Sequence, residues 1–274
     1  MIDMNREDAE KATTRLLDVM DKLRAECPWD REQTFDSLRN NTIEETYELA
    51  DAITDKNMEG IKEELGDLLL HVVFYSKLGE EQGAFNYTDV ANAVCDKLIY
   101  RHPHVFSTAE VGDAEGVIKQ WEMLKTTEKD GNKRVLSGVP DGLPPLLKAY
   151  RMQDKARGVG FDWEKKEDVW EKVKEEVGEY QAELDAMAAA QTEEERAAAY
   201  DRAEDELGDF LFAAVNAARL YGLNPDTALE RTCAKFRRRF TYLEEHTIRQ
   251  GRNLTDMTLA EMDAIWDEGK AKGL

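Results

Sequence analysis

Glu64-Leu65-Gly66-Asp67-Leu68-Leu69-Leu70 returns later in the chain as Glu206-Leu207-Gly208-Asp209-Phe210-Leu211-Phe212, the same Glu-Leu-Gly-Asp followed by apolar residues. Upstream of the two copies stand Glu44-Glu45-Thr46-Tyr47-Glu48 and Glu175-Glu176-Val177-Gly178-Glu179. Downstream stand Lys97-Leu98-Ile99-Tyr100-Arg101 and Lys235-Phe236-Arg237-Arg238-Arg239, then Trp121 and Trp266. Recurrence of these features in one order is the mark of a duplicated domain. Between the copies, Lys129–Pro145 (KDGNKRVLSGVPDGLPP) is rich in Gly, Pro and Asp and lacks periodicity, as a linker would be. The expected division is 1–130, a linker at 131–145, and 146–274.

Apolar residues recur at helical spacing almost throughout, and strand-like alternation is hard to find. Helices are expected over roughly 7–26, 41–55, 58–82, 88–101, 114–127, 145–156, 165–190, 193–221, 226–246 and 259–271. Thr192 with Glu195 and Thr258 with Glu261 fit the capping box, and Asn224-Pro225 sets a capping residue before a proline at the first helical position. The fold class is all-α. The Ala- and Glu-rich stretch Ala186–Ala199 is expected to be an exposed helix end and loop that lengthens one repeat.

The chain has 274 residues, with 37 Lys and Arg against 58 Asp and Glu, a formal charge of −21. Such a balance disfavours duplex nucleic acid and anionic membrane surfaces as partners, since both are held through phosphate neutralisation by cations. Cys27, Cys95 and Cys233 are scattered and form no CxxC, which points to a reducing compartment. The start has no apolar targeting core and the apolar runs are too short to span a bilayer, so a cytoplasmic protein is expected.

Two acidic residues three apart share one helix face. In the second repeat Val173, Val177, Tyr180 and Leu184 mark an apolar stripe, and Glu176 projects at that stripe. Glu206 projects beside Ala203 and Phe210. Carboxylates aimed at a core are costly unless neutralised, and two such pairs on antiparallel helices supply the hard oxygen ligands that Mg²⁺ prefers. Gly66 and Gly208, each costing about 1 kcal/mol against alanine in a helix, suggest a close helix approach beside the metal. Lys235 and Arg239 lie one turn apart, as do Lys97 and Arg101, so each pair presents two positive charges suited to a polyphosphate. Lys172 and Arg202 precede Glu176 and Glu206 by four and, taken alone, read as ordinary ion pairs. Trp266 or Trp121 offers a surface on which a base can stack.

Cys27-Pro28-Trp29-Asp30 with Gln33-Thr34, the two carboxylate pairs, Arg101-His102-Pro103-His104-Val105-Phe106 and Lys235-Phe236-Arg237-Arg238-Arg239-Phe240 closely resemble the two-domain MazG family across essentially the whole chain. The resemblance implies tandem four-helix-type domains in an intertwined homodimer and Mg²⁺-dependent hydrolysis of nucleoside triphosphates, with Mn²⁺ as a substitute metal. Scission between the α and β phosphates gives a nucleoside monophosphate and pyrophosphate. The metal ligands it implies are Glu176, Glu179, Glu206 and Asp209, in the repeat that is generally the active one. Glu45, Glu48, Glu64 and Asp67 are retained in the first repeat, as a second site, a regulatory site or a dimerisation domain. Nucleotide contacts fall on Lys172, Glu176, Arg202, Asp205, Asp209, Lys235, Arg239 and Trp266. Arg202 stands where a lysine is usual, and Phe35 where a histidine is common.

In the expected reaction Glu175 or Glu179 accepts the proton of the attacking water, and Lys235 and Arg239 stabilise the departing pyrophosphate. The alternatives are a non-catalytic nucleotide or metal sensor acting through its dimer interface, and a purely structural helical assembly. A narrower dUTP- or phosphoribosyl-ATP-directed activity stands within the hydrolase class. His71, four after Asp67, invites comparison with di-iron sites, but Ala213 fills the matching place in the second repeat. His102 and His104 read as a structural turn.

Overall fold

The computed structural model describes residues 5–107, 116–117 and 134–274, and every element among them is helical. The chain divides into two compact units, Met1–Gly112 and Asp113–Leu274. Trp121 and nearly all of the helix expected over 114–127 lie outside the described residues.

In the first unit α1 (Arg6–Glu26), a short α2 (Pro28–Glu32), α3 (Phe35–Thr54), α4 (Met58–Glu81), α5 (Tyr87–Arg101) and a short α6 (Pro103–Phe106) follow one another. Helices α3 and α4 form a hairpin, and α1 packs along α4. Met20, Leu38, Val73, Phe74 and Leu78 make the buried cluster. Helix α3 begins six residues before its expected start, because Thr34 and Ser37 cap each other's backbone amides. A serine does there what the usual Glu or Gln of a capping box does. Phe35 stacks on Tyr75 with ring centres 5.6 Å apart, so it serves the core.

The second unit holds a 3₁₀ turn (Val135–Gly138), α7 (Pro145–Gly158), α8 (Val169–Ala189), α9 (Glu193–Leu220), α10 (Pro225–Glu245) and α11 (Leu259–Ala271). The 3₁₀ turn, within the stretch read as linker, packs against α7. Helices α8 and α9 form the dominant hairpin, α7 lies against α9, and α11 against α10. Ala199, Ala203, Ala213, Val215 and Ala217 are buried along α9. The stretch 186–199 is, as expected, an exposed helix end and loop, with 190–192 non-helical; the exception is Ala199, which is core because the hairpin continues through it. The capping boxes at Thr192 and Thr258 form as read. The Glu261 carboxyl is held down to about 2 by the Thr258 amide, the Arg252 guanidinium and the Thr258 hydroxyl. No helix among the described residues is long and apolar enough to cross a membrane.

Candidate metal and nucleotide site

The α8–α9 hairpin brings carboxylates from two helices together because its three-residue connection forces antiparallel neighbours. Ligand oxygens of Glu176, Glu179 and Glu206 all lie within 4.8 Å of one another. Glu176 is only 5% exposed, as its projection at the apolar stripe predicts. Val177, also placed on that stripe, is instead exposed, so the buried face of α8 is narrower than the pattern suggests. The α3–α4 hairpin repeats the arrangement, with Glu45, Glu48 and Glu64 grouped within the same 4.8 Å limit.

Both groups are electrostatically strained. The Glu206 carboxyl is raised above the ordinary glutamate range by burial and then by the charges of Glu179, Asp209, Glu176 and Glu183. Glu64 is raised by burial and by Glu48, Glu45, Asp67 and Glu63. Asp209 and Asp67 stand outside the three-oxygen groups, yet their charges press on the same glutamates. An all-carboxylate donor set under mutual repulsion fits a hard divalent cation.

The cations divide differently from their sequence spacing. Lys172 Nζ lies 2.6 Å from Glu176 and 2.8 Å from Glu175, and these bonds raise its pKa. Arg202 does not pair with Glu206. Its Nε donates across the hairpin to Glu183 at 2.8 Å. Glu183 is a participant that the sequence reading missed, although Glu176, Glu179 and Glu183 fall at i, i+3 and i+7 on one face of α8. Asp205 and Lys235 are exposed. Arg239 lies over the Trp266 ring, 5.9 Å from its centre, and its Nε donates to the Leu274 carbonyl at 2.7 Å. Phe236 meets the same indole at 5.1 Å. So the structure joins Arg239 to Trp266 and Lys172 to the carboxylates, as two groups on different helices.

Two expectations need correction or placement. Among the described residues, a Cβ added at Gly66 or Gly208 would meet nothing within 4 Å, so no close helix approach there accounts for either glycine. His71 is buried on α4 near Tyr75, outside the carboxylate group of its repeat, and its Nδ1 has no hydrogen-bond partner.

Fold and site together define an all-α protein built of two helical hairpins, each presenting a three-carboxylate cage. Residues 33–106 and 164–243 match the MazG nucleotide pyrophosphohydrolase domain, once per repeat. The chain belongs to the MazG family. It is 39% identical over 263 residues to a nucleoside triphosphate pyrophosphohydrolase of Escherichia coli K12, covering 93% of this chain and 96% of that one. It is 41% identical over 262 residues to a nucleoside triphosphate pyrophosphohydrolase/pyrophosphatase of Thermotoga maritima, covering 94% of each. The Bacillus subtilis protein YabN is 44% identical over 245 residues, 89% of this chain but 48% of its own length.

Proposed function

We propose that the chain is a Mg²⁺-dependent nucleoside triphosphate pyrophosphohydrolase, cleaving between the α and β phosphates to release a nucleoside monophosphate and pyrophosphate. The observation that carries this is the convergence of Glu176, Glu179 and Glu206, with Glu206 pushed up by its neighbours. Such a cluster is unfavourable until a cation neutralises it.

Glu176, Glu179, Glu206 and Asp209 hold the divalent ion, which supplies charge neutralisation of the phosphates and acidification of the attacking water. Glu175, beside the cage, or Glu179, within it, accepts the water's proton; both are exposed on α8. Lys172, released from Glu175 and Glu176, and Arg202 with Asp205 meet the nucleotide. Lys235 and Arg239 stabilise the departing pyrophosphate, and Trp266 holds Arg239 in place while contacting the nucleotide. The carboxylates recur in the first repeat as Glu45, Glu48, Glu64 and Asp67, which form a second cation site, although Asn41 and Gly60 stand where Lys172 and Arg202 do.

The working form is a homodimer with domains at 1–130 and 146–274 joined by 131–145. Leu229, Phe236 and Phe240 on α10 are exposed in the single chain, which supports a partner surface there. Cys27, Cys95 and Cys233 are all free thiols, in keeping with the reducing cytoplasm.

The purified chain is to be incubated with each NTP and dNTP, with and without Mg²⁺, resolving NMP, NDP, phosphate and pyrophosphate. Equimolar NMP and pyrophosphate appearing only with Mg²⁺ is the expected result. Orthophosphate with NDP would refute the scission, and binding without turnover would identify a nucleotide sensor. A pH series adds a second expectation. Because the Glu206 proton is held more tightly than a free glutamate's, Mg²⁺ affinity measured calorimetrically should fall with acidification from a pH above the ordinary glutamate range. Affinity constant down to that range would remove Glu206 from the ligand set.

A further inference from the structure

Phe236, Arg239 and Tyr242 fall three residues apart in turn and so share one face of α10, the face on which α11 lies. Phe236 and Arg239 meet Trp266 of α11. Tyr242, 8% exposed, meets Gly269, where an added Cβ would stand 3.3 Å from the ring. A glycine is needed there for the two helices to approach so closely. Beyond it, Lys272 Nζ donates to the Tyr242 hydroxyl, and that hydroxyl donates to Glu268 at 3.4 Å. The last turn of α11 is therefore tied to α10 by packing and by hydrogen bonds at once.

Helix α11 ends in a Schellman turn. The Leu274 amide bonds to the Gly269 carbonyl at 3.2 Å and the Gly273 amide to that of Lys270 at 3.0 Å, with Gly273 at a left-handed φ of 84°. Glycine adopts that conformation freely and asparagine at modest cost, whereas a β-branched residue is strained in it. The turn folds Leu274 back toward Gly269, and there its carbonyl accepts from Arg239 Nε at 2.7 Å. With Nε held and the Trp266 ring alongside, the plane of the guanidinium is fixed. Among the described residues Arg239 Nη1 and Nη2 make no hydrogen bond, which leaves the edge that grips a phosphate bidentately.

We propose that Gly273 is a positioning residue for phosphate binding: its turn delivers the Leu274 carbonyl that, with Trp266, holds the Arg239 guanidinium ready to grip a pyrophosphate group. This rests on the reading above of Arg239 as a cation that meets the departing pyrophosphate. Gly273 touches no substrate. It acts through Leu274 on Arg239, because a guanidinium already held in one orientation loses less freedom on gripping an anion.

Inorganic pyrophosphate is titrated calorimetrically, with Mg²⁺ present, into the full chain and into Gly273→Val, Gly273→Asn, Arg239→Ala and the Gly273→Val/Arg239→Ala double variant. The Arg239 Nε–H signal is followed by NMR in the same proteins that keep Arg239. Gly273→Val should weaken pyrophosphate binding about tenfold and expose the Nε–H to exchange, and Gly273→Asn should rescue both. The double variant should bind no more weakly than Arg239→Ala alone, since the turn acts through that one side chain. Mg²⁺ affinity of the cage should be the same throughout. Undiminished binding by Gly273→Val would overturn the proposal, as would the failure of Gly273→Asn to rescue. A loss in the double variant beyond that of Arg239→Ala would also overturn it, because α11 as a whole would then have shifted. So would the absence of pyrophosphate binding by the unaltered chain. If the expected pattern is found and no triphosphate is hydrolysed, the hydrolase reading fails while the positioning of Arg239 stands.

Discussion

Glu206→Gln should lower NTP turnover by about three orders of magnitude, equivalent to roughly 4 kcal/mol of transition-state stabilisation, while far-UV circular dichroism stays unchanged. The amide keeps the shape of the side chain and removes one negative charge from the only α9 position in the Glu176–Glu179–Glu206 group. Helix α9 does not need that charge to form, so loss of structure would not explain loss of activity. Glu64→Gln is the matched control in the first repeat. Turnover confined to the second repeat predicts that Glu64→Gln leaves most of the activity in place. A Glu206→Gln protein that still hydrolyses NTP at a wild-type rate would remove this residue from the metal site.

The largest stability effect is expected from Asp162→Ala. It strands the Arg219 guanidinium, whose side chain is 5% exposed, without its carboxylate. Breaking a buried pair from one side costs about 3–5 kcal/mol, to be read as an earlier urea transition of the second unit with the first unit's transition unmoved. The pH dependence follows from the same contact. Burial would raise the Asp162 carboxyl, but the Arg219 hydrogen bonds, the Trp163 amide and the charges of Arg219 and Arg157 outweigh it and hold it below the ordinary aspartate value. A depressed carboxylate contributes its stabilisation fully above the unfolded value of about 3.9. That stabilisation is lost as pH falls through the lower folded value. Asp162→Ala should therefore flatten the acid limb of the second unit's stability curve. An unaltered acid limb would show that other carboxylates govern it.

Local features were legible in the sequence, and contacts between distant residues were not. The repeat, the helical periodicity and the inward projection of Glu176 depend on neighbours within one or two turns, and the structure returns a buried Glu176 on a helix paired with that of Glu206. The early start of α3 was hidden because Ser37 stands where Glu or Gln ordinarily signals the box. Arg202 was read toward Glu206 at i+4, whereas its partner Glu183 lies across a hairpin whose register periodicity does not reveal. The Asp162–Arg219 pair and the Gln153 bond to Phe212 join residues more than fifty positions apart. Nothing in the local pattern marks them. Gly66 and Gly208 suggested a close helix approach, but among the described residues none is found at either.

The hairpin that holds the cage has a kinetic consequence. Glu176 and Glu206 are thirty positions apart on a hairpin whose turn is three residues, so the site can assemble before contacts of greater sequence separation such as Asp162–Arg219, 57 positions apart. Closing that hairpin also crowds carboxylates, and the growing repulsion opposes the step that creates the site. Refolding of the second unit should then accelerate when a divalent cation is present from the start, with the ion acting on the nascent hairpin as well as on the finished protein. The first unit, built on the same kind of hairpin, carries its own copy of this brake. The same acceleration by a divalent cation is therefore expected for the first unit.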